Sequence, residues 1–207
     1  MFPVIVFDLD GTLVDSLPDI LSSFLHAFER EGLPAPHEDA VRKTLGQPLE
    51  AMYAAFAPEG RVDALCRSYR AHYAEHLADR SRPFPGVPDL LALLRERGYL
   101  RTVASTKRTL TARRLVEATG LGPLLDHVEG SDAAPYKPAP DVVLRSVAAV
   151  GGRGVWMVGD TAGDIRAGRA AGLKTYGVTW GTQGALELAT AAPDRLEPDL
   201  TALAALL

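Results

Sequence analysis

Four clusters of residues able to do chemistry stand where short apolar runs of this chain end, or in loops leading from such ends. The first follows Val4-Ile5-Val6 and reads Phe7-Asp8-Leu9-Asp10-Gly11-Thr12-Leu13-Val14-Asp15-Ser16. Residues i and i+2 of a strand point to the same side, so Asp8 and Asp10 are expected to place two carboxylates close together. Such a pair is costly unless a cation, a hydrogen-bond network or a proton separates the charges. Gly11 permits a sharp turn, and Thr12 is expected to hydrogen-bond locally. The second cluster is Ser105-Thr106-Lys107, after Thr102-Val103-Ala104. The third is Lys137 in Tyr136-Lys137-Pro138-Ala139-Pro140-Asp141. The fourth is Gly159-Asp160-Thr161-Ala162-Gly163-Asp164, after Val155-Trp156-Met157-Val158.

Together these groups suit phosphoryl chemistry. Asp8, the backbone carbonyl of Asp10 and Asp160 are hard oxygen ligands of the kind an octahedral Mg²⁺ takes. The Ser105 hydroxyl and the Thr106 N–H are placed to grip phosphoryl oxygens, with Lys137 supplying positive charge beside them. Asp8 is then the expected nucleophile, giving an aspartyl-phosphate. Asp10 is the expected acid for the leaving oxygen and afterwards the base for water. Asp164, one helical turn beyond Asp160, is expected to hold a metal-bound water or to orient Lys137.

Each group also has a plainer reading. Asp160 and Ser105 are favoured helix N-caps, and Asp164 is a favoured first-turn acid. Lys107 and Arg108 read as solvated, as do Arg42 and Lys43. Gln47 is a candidate substrate contact from the helical region. His72-Tyr73-Ala74-Glu75-His76 matches the His-x-x-Glu-His zinc pattern, but no third ligand stands out downstream, and the segment reads as one amphipathic helix. Gly151-Gly152-Arg153-Gly154 precedes a strand instead of following one, so it is not read as a dinucleotide loop.

The elements that must position these residues follow from periodicity. A buried strand is expected over 3–7, and helices over 17–31, 37–45, 49–56 and 61–77. Arg82-Pro83-Phe84-Pro85-Gly86-Val87-Pro88 reads as an extended hinge, because its prolines fix the backbone and remove donors. Strand and helix then alternate: helices over 89–97, 110–119, 140–150 and 161–171, and strands over 100–104, 127–129, 155–158 and 174–178. Alternation of this kind implies an α/β fold, a Rossmann-like parallel sheet with helices on both faces. The all-helical stretch interrupts it, so residues 1–15 and 83–207 are expected to form a discontinuous core and residues 16–82 an inserted helical cap. Ligands of such sheets bind outside the carboxyl ends of the strands, which lets clusters far apart in sequence meet.

These motifs resemble those of the haloacid dehalogenase superfamily of Mg²⁺-dependent phosphohydrolases. The likeness rests on the Asp-Leu-Asp-Gly-Thr-Leu-Val-Asp-Ser run, Ser105 after the second core strand, Lys137 in Lys-Pro-Ala-Pro, and Gly-Asp-Thr-Ala-Gly-Asp. The helical cap, Leu45-Gly46-Gln47-Pro48-Leu49 and Gly177-Val178-Thr179-Trp180-Gly181 are similar to the phosphoglycolate phosphatase branch. The resemblance implies a Rossmann-like core, an aspartyl-phosphate intermediate, Mg²⁺ and a small phosphorylated metabolite as substrate, 2-phosphoglycolate first among the candidates. Two departures stand out. Ser105-Thr106-Lys107 replaces the usual Thr-Asn-Lys or Thr-Ser-Lys, and no aromatic residue follows Gly181. Rival readings are a β-phosphoglucomutase-like phosphomutase, a pyrophosphatase or nucleotidase of the same superfamily, and a receiver-type phospho-signalling domain. The receiver reading is disfavoured by the helical insert and by Asp8 itself leading the acidic pair.

Bulk composition narrows the rest. The 207 residues carry a net charge of −4, with 47% hydrophobic and 23% charged residues. That balance suits a globular protein and offers nothing basic for a nucleic acid or an anionic membrane. The single Cys66 cannot form an internal disulfide and fits a reducing compartment, so a cytoplasmic location is expected, as a monomer or weak homodimer.

Overall fold

The computed structural model describes residues 1–132 and 135–207. The first strand, β1 (Pro3–Phe7), is apolar along its whole length because both faces are covered. Val4 and Val6 pack with Val142, Val143 and Met157 on one side. Ile5 and Phe7 join Val103, Val158 and Tyr176 on the other. The period of two thus divides one run between two helical layers.

The remaining elements follow in order: β2 (Val14–Asp15), α1 (Leu17–Arg30), α2 (Glu38–Arg42), α3 (Leu49–Ala54), α4 (Val62–His76), β3 (Arg82–Pro83), α5 (Val87–Glu96), β4 (Leu100–Ala104), α6 (Thr109–Ala118), β5 (His127–Glu129), α7 (Asp141–Ala149), β6 (Arg153–Gly159), α8 (Ala162–Ala170), β7 (Lys174–Val178), α9 (Ala185–Ala189) and β8 (Arg195–Glu197). The main sheet has the order β5-β4-β1-β6-β7-β8, and every pairing in it is parallel. The chain steps from β1 to β4 and β5 on one side, then returns past β1 to build β6, β7 and β8. The strand order therefore reverses at β1, and the crevice outside the ends of β4, β1 and β6 is the topological switch point where ligands bind.

Helices α1 to α4 lie in sequence between β2 and β3. Ile20, Leu21, Phe24 and Phe28 turn one stripe of α1 inward, as their spacing requires. Phe24 stacks on Tyr53 of α3 with centroids 4.1 Å apart, and the Tyr53 hydroxyl donates to the Phe24 carbonyl at 3.2 Å. The insert's apolar side chains are continuous with the cluster that holds Ile5 and Phe7 of β1. Among the described residues, no helix is long and apolar enough to cross a membrane.

Three expectations change. The stretch read as a hinge is partly structured: Arg82 and Pro83 pair antiparallel with Asp15 and Val14, and the Phe84 N–H donates to the Leu13 carbonyl at 3.0 Å. Helix α5 begins at Val87, because Pro88 falls in the first turn, where its missing N–H costs nothing. Elements α9 and β8, absent from the periodicity reading, close the far edge of the sheet.

Candidate active site

Strand β1 ends at Phe7, so Asp8 and Asp10 lie beyond it and the strand rule does not govern them. They take separate partners instead of sharing one. Asp8 is buried and accepts from the Lys137 ammonium at 2.6 Å. The same ammonium reaches Asp164 of α8, also at 2.6 Å. Of the two expectations for Asp164, the structure bears directly on the orientation of Lys137. Asp164 is no solvated first-turn acid: it is 2% exposed. Its other oxygen accepts from the N–H and hydroxyl of Thr161 in a reciprocal capping box. Thr161, rather than Asp160, is therefore the N-cap of α8.

Asp160 is fully buried at the end of β6. It accepts from the Thr12 hydroxyl at 2.8 Å and from the Thr182 N–H at 2.7 Å. Thr12 thus bonds 148 residues away, not locally. Gly11, at φ +82°, and Gly181 bring bare backbone against this carboxylate, and a Cβ at either would collide with Asp160 Oδ2. The two glycines and two threonines form a fitted seat for Asp160. Gly181 was visible in sequence only as part of a resemblance.

Asp8, Asp160 and Asp164 each offer an oxygen, all within 4.8 Å of one another. Three buried carboxylates with one ammonium leave excess negative charge. Burial raises the Asp8 carboxyl well above its usual range; Lys137 pulls it back, and the charges of Asp164, Asp160 and Asp10 push it up. Burial, then the charge of Asp164, pushes Asp160 up to about 7 against the pull of the Thr182 and Thr12 hydrogen bonds. Burial opposes charge on Lys137, yet Asp164 and Asp8 hold its pKa above the ordinary lysine value. The donor set is all hard oxygen, and a divalent cation would relieve the field that favours protonation.

The Asp10 side chain stands outside that trio. Ser16 donates its hydroxyl to Oδ1, and the Lys107 ammonium lies 3.2 Å from Oδ2. Lys107 is therefore not the solvated residue its sequence context suggested. Its side chain is 10% exposed, donates to the Tyr73 hydroxyl at 3.2 Å, and sits 4.6 Å from the centre of the Tyr73 ring. Arg108 is exposed, as expected. Nothing in the local sequence announced Tyr73 as a partner, because it stood only as a filler position of the His-x-x-Glu-His pattern in an amphipathic helix.

Ser105 is buried, and its hydroxyl accepts from the Lys107 N–H at 3.1 Å, so it braces the turn after β4 instead of capping α6. Thr106, Lys107 and Lys137 line a cavity of about 410 Å³ between the sheet crevice and the helical insert. Asp8, Asp10 and Asp164 open onto it from below, and Gln47, Tyr69 and Tyr73 from above. Gln47, the candidate substrate contact, is among the residues lining the cavity. Arg114 also ties insert to core, donating to the Ala74 carbonyl at 2.7 Å.

The His-x-x-Glu-His segment lies on α4, and among the described residues its side chains belong to no group of three or more ligands able to hold a metal. The rings of His72 and His76 stack at 4.2 Å and that of His72 on His26 at 4.0 Å. His72 and His76 bond instead to the Ser23 hydroxyl and Asp79.

Residues 5–178 match the model of the haloacid dehalogenase-like hydrolase family. The chain is 37% identical over 202 residues to a Dickeya dadantii protein named "Probable phosphatase IndB", covering 93% of this chain and 88% of that one. It is 33% identical over 189 residues to a phosphoglycolate phosphatase of Mesorhizobium japonicum, covering 86% and 83%. A haloacid dehalogenase-like family hydrolase from Streptococcus pneumoniae superposes with a TM-score of 0.88 at 28% identity, over 99% of this chain and 98% of that one. Motif order, sheet topology and these likenesses agree: the chain belongs to the haloacid dehalogenase-like hydrolase family.

Proposed function

We propose that this protein is a Mg²⁺-dependent phosphomonoester hydrolase of a small phosphorylated metabolite, acting through an aspartyl-phosphate on Asp8. In this reading residues 1–15 and 83–207 are the core and residues 16–82 a cap over the cavity. The observation that carries it is Lys137 bonded at once to Asp8 and Asp164, beside Asp160, at the floor of a cavity between core and insert. Asp8, the Asp10 carbonyl and Asp160 would hold the Mg²⁺, which when bound neutralises charge on the phosphoryl group and on the carboxylates.

The chain's own groups do the rest. An Asp8 oxygen forms a bond to phosphorus as the bond from phosphorus to the leaving oxygen breaks, and Asp10 gives that oxygen its proton. Asp10, now a carboxylate, takes a proton from water. The water oxygen bonds to phosphorus, and the Asp8 oxygen is released with its electron pair. Lys137 faces Asp8 throughout and offsets charge on the transferring group, with Thr106 and Ser105 assigned to the phosphoryl oxygens. Asp164 holds Lys137 in place, and Gln47 is assigned to the leaving group. The cap excludes water that would otherwise compete for the phosphoryl group.

The leading substrate is 2-phosphoglycolate, on the strength of the named relatives and of a cavity with Arg70 and Arg108 on its walls. Phosphate release from 2-phosphoglycolate, nucleotides, sugar phosphates and pyrophosphate, with and without Mg²⁺, tests the reading. Asp8→Asn should reduce release by at least ~10⁴-fold while the protein stays folded. Appreciable turnover by that variant would remove Asp8 from the role of nucleophile.

A further inference from the structure

Lys107 is a largely buried cation that the scheme above does not use. Taking an ammonium out of water is costly unless partners replace the water, and here the partners are specific. Its Nζ lies 3.2 Å from Asp10 Oδ2 and 3.2 Å from the Tyr73 hydroxyl, with the Tyr73 ring beneath it. The Ser105 hydroxyl accepts from its backbone N–H, which fixes where the side chain starts. The second oxygen of Asp10 is held by Ser16. The Asp10 carboxylate is therefore gripped at both oxygens. One grip comes from the turn after β4; the other comes from the residue that precedes α1. Tyr73 sits on α4, so the pose of Lys107 depends on the insert resting against the core.

We propose that Lys107 is a positioning residue for Asp10: it aims the carboxyl at the leaving oxygen, and Tyr73 holds it in that pose only while the cap covers the core. The proposal rests on Asp10 being the acid and base of the reaction. Lys107 neither gains nor loses a proton in it; the proton passes from Asp10 to the leaving oxygen as the bond to phosphorus breaks. Proton transfer by a placed acid matters most when the departing oxygen is a poor leaving group. An alkyl phosphate needs it, and an aryl phosphate that departs as a stabilised anion needs it far less.

The test compares 2-phosphoglycolate, or the best alkyl ester of the substrate panel, with p-nitrophenyl phosphate. Lys107→Met keeps most of the side chain and removes the charge. It should lower kcat for the alkyl ester by about 30- to 100-fold, up to the lower end of the ~10²- to 10⁴-fold a general acid contributes, and for the aryl ester by no more than about 3-fold. Tyr73→Phe should show the same preference with a smaller loss, about 5-fold, and should add nothing in the Lys107→Met background. Equal losses on both esters, or a loss that appears in KM alone, would overturn the proposal and make Lys107 a structural or substrate-binding cation. Additive losses in the double variant would detach Tyr73 from it. Asp10→Asn is the control: if it fails to separate the two esters, the acid–base reading of Asp10 falls, whereas separation by Asp10→Asn without separation by Lys107→Met sinks only the present inference. Thermal unfolding of each variant shows whether any lost activity reflects lost fold.

Discussion

Two lysines face this cavity, and they are held in different ways. Lys137 is 3% exposed and lies between Asp8 and Asp164. All three belong to the α/β core, at positions set by β1, α8 and the loop before α7. Lys107 is 10% exposed and lies between Asp10, beyond β1, and Tyr73, on a helix of the insert. The first set of contacts exists whenever the core is folded. The second requires core and insert to be in register. In the proposed scheme, charge beside Asp8 is thus built into the scaffold, while the group assigned to orient Asp10 depends on a contact with the insert.

The largest expected effect breaks the scaffold half of this contrast. Lys137→Met leaves Asp8 and Asp164 buried without their shared cation. Removing one partner of a buried charge network costs about 3–5 kcal/mol. The metal-free variant should therefore unfold at markedly lower denaturant concentration than wild type, and turnover should fall by at least ~10³-fold. Lys107→Met should cost less stability, because Asp10 keeps Ser16 and is 23% exposed on its side chain. Equal destabilisation by the two variants would erase the distinction between a fixed and a conditional cation. Chemical denaturation of both, without metal, measures it.

A smaller effect sharpens the scaffold half further. Gly181→Ala puts a methyl group where Asp160 Oδ2 and the Gly11 carbonyl now lie. The carboxylate must shift, and its Thr182 hydrogen bond with it. Loss of such support around a metal ligand typically costs 10- to 100-fold in affinity. Mg²⁺ titration should show a weakening of that order with the fold intact. An unchanged Mg²⁺ affinity would mean that Asp160 is not a ligand, or that its seat is far softer than the packing implies.

The sequence carried the scaffold better than the closure. Asp8, Asp160 and Asp164 lie beside strand ends or in a helix's first turn, and Lys137 lies in the loop leading from β5 to α7; parallel-sheet topology brings such positions together. Alternating strands and helices also announced the core, since each buried strand is a short apolar run bounded by turn residues. What escaped is what arises only across the fold. Thr12 reads as a turn residue, yet its partner lies 148 residues away. Lys107 reads as solvated because a single sequence cannot show that a tyrosine of the insert will cover it. Tyr73 sits inside a zinc-like pattern that drew attention to its histidine neighbours, whereas the ring between them is the part that meets the core. Strand β3 was hidden because its two residues, Arg82 and Pro83, sit in a proline-rich stretch and pair with only two others.

The mildest expected effect concerns protons at the metal-ligand set. Burial and the charge of Asp164 lift Asp160 to about 7 from an ordinary value of 3.8. In this window the folded, metal-free protein holds a proton that the unfolded chain has released. Its stability should therefore be fully supported on the acid side, decline as pH rises from about 4 toward 7, and carry the whole charge penalty above that. A divalent cation occupies the place of the proton, so the two compete. The rise in melting temperature on adding Mg²⁺ should be larger near pH 8 than near pH 6, with an apparent affinity about tenfold weaker at the lower pH for one displaced proton. Melting curves at several Mg²⁺ concentrations at both pH values measure this without reference to turnover. The Lys107→Met variant should show the same proton–metal competition as wild type, because its changed charge touches Asp10 rather than Asp160. Loss of the competition in that variant would mean that the two lysines belong to one electrostatic unit, and the division between scaffold and closure would fail.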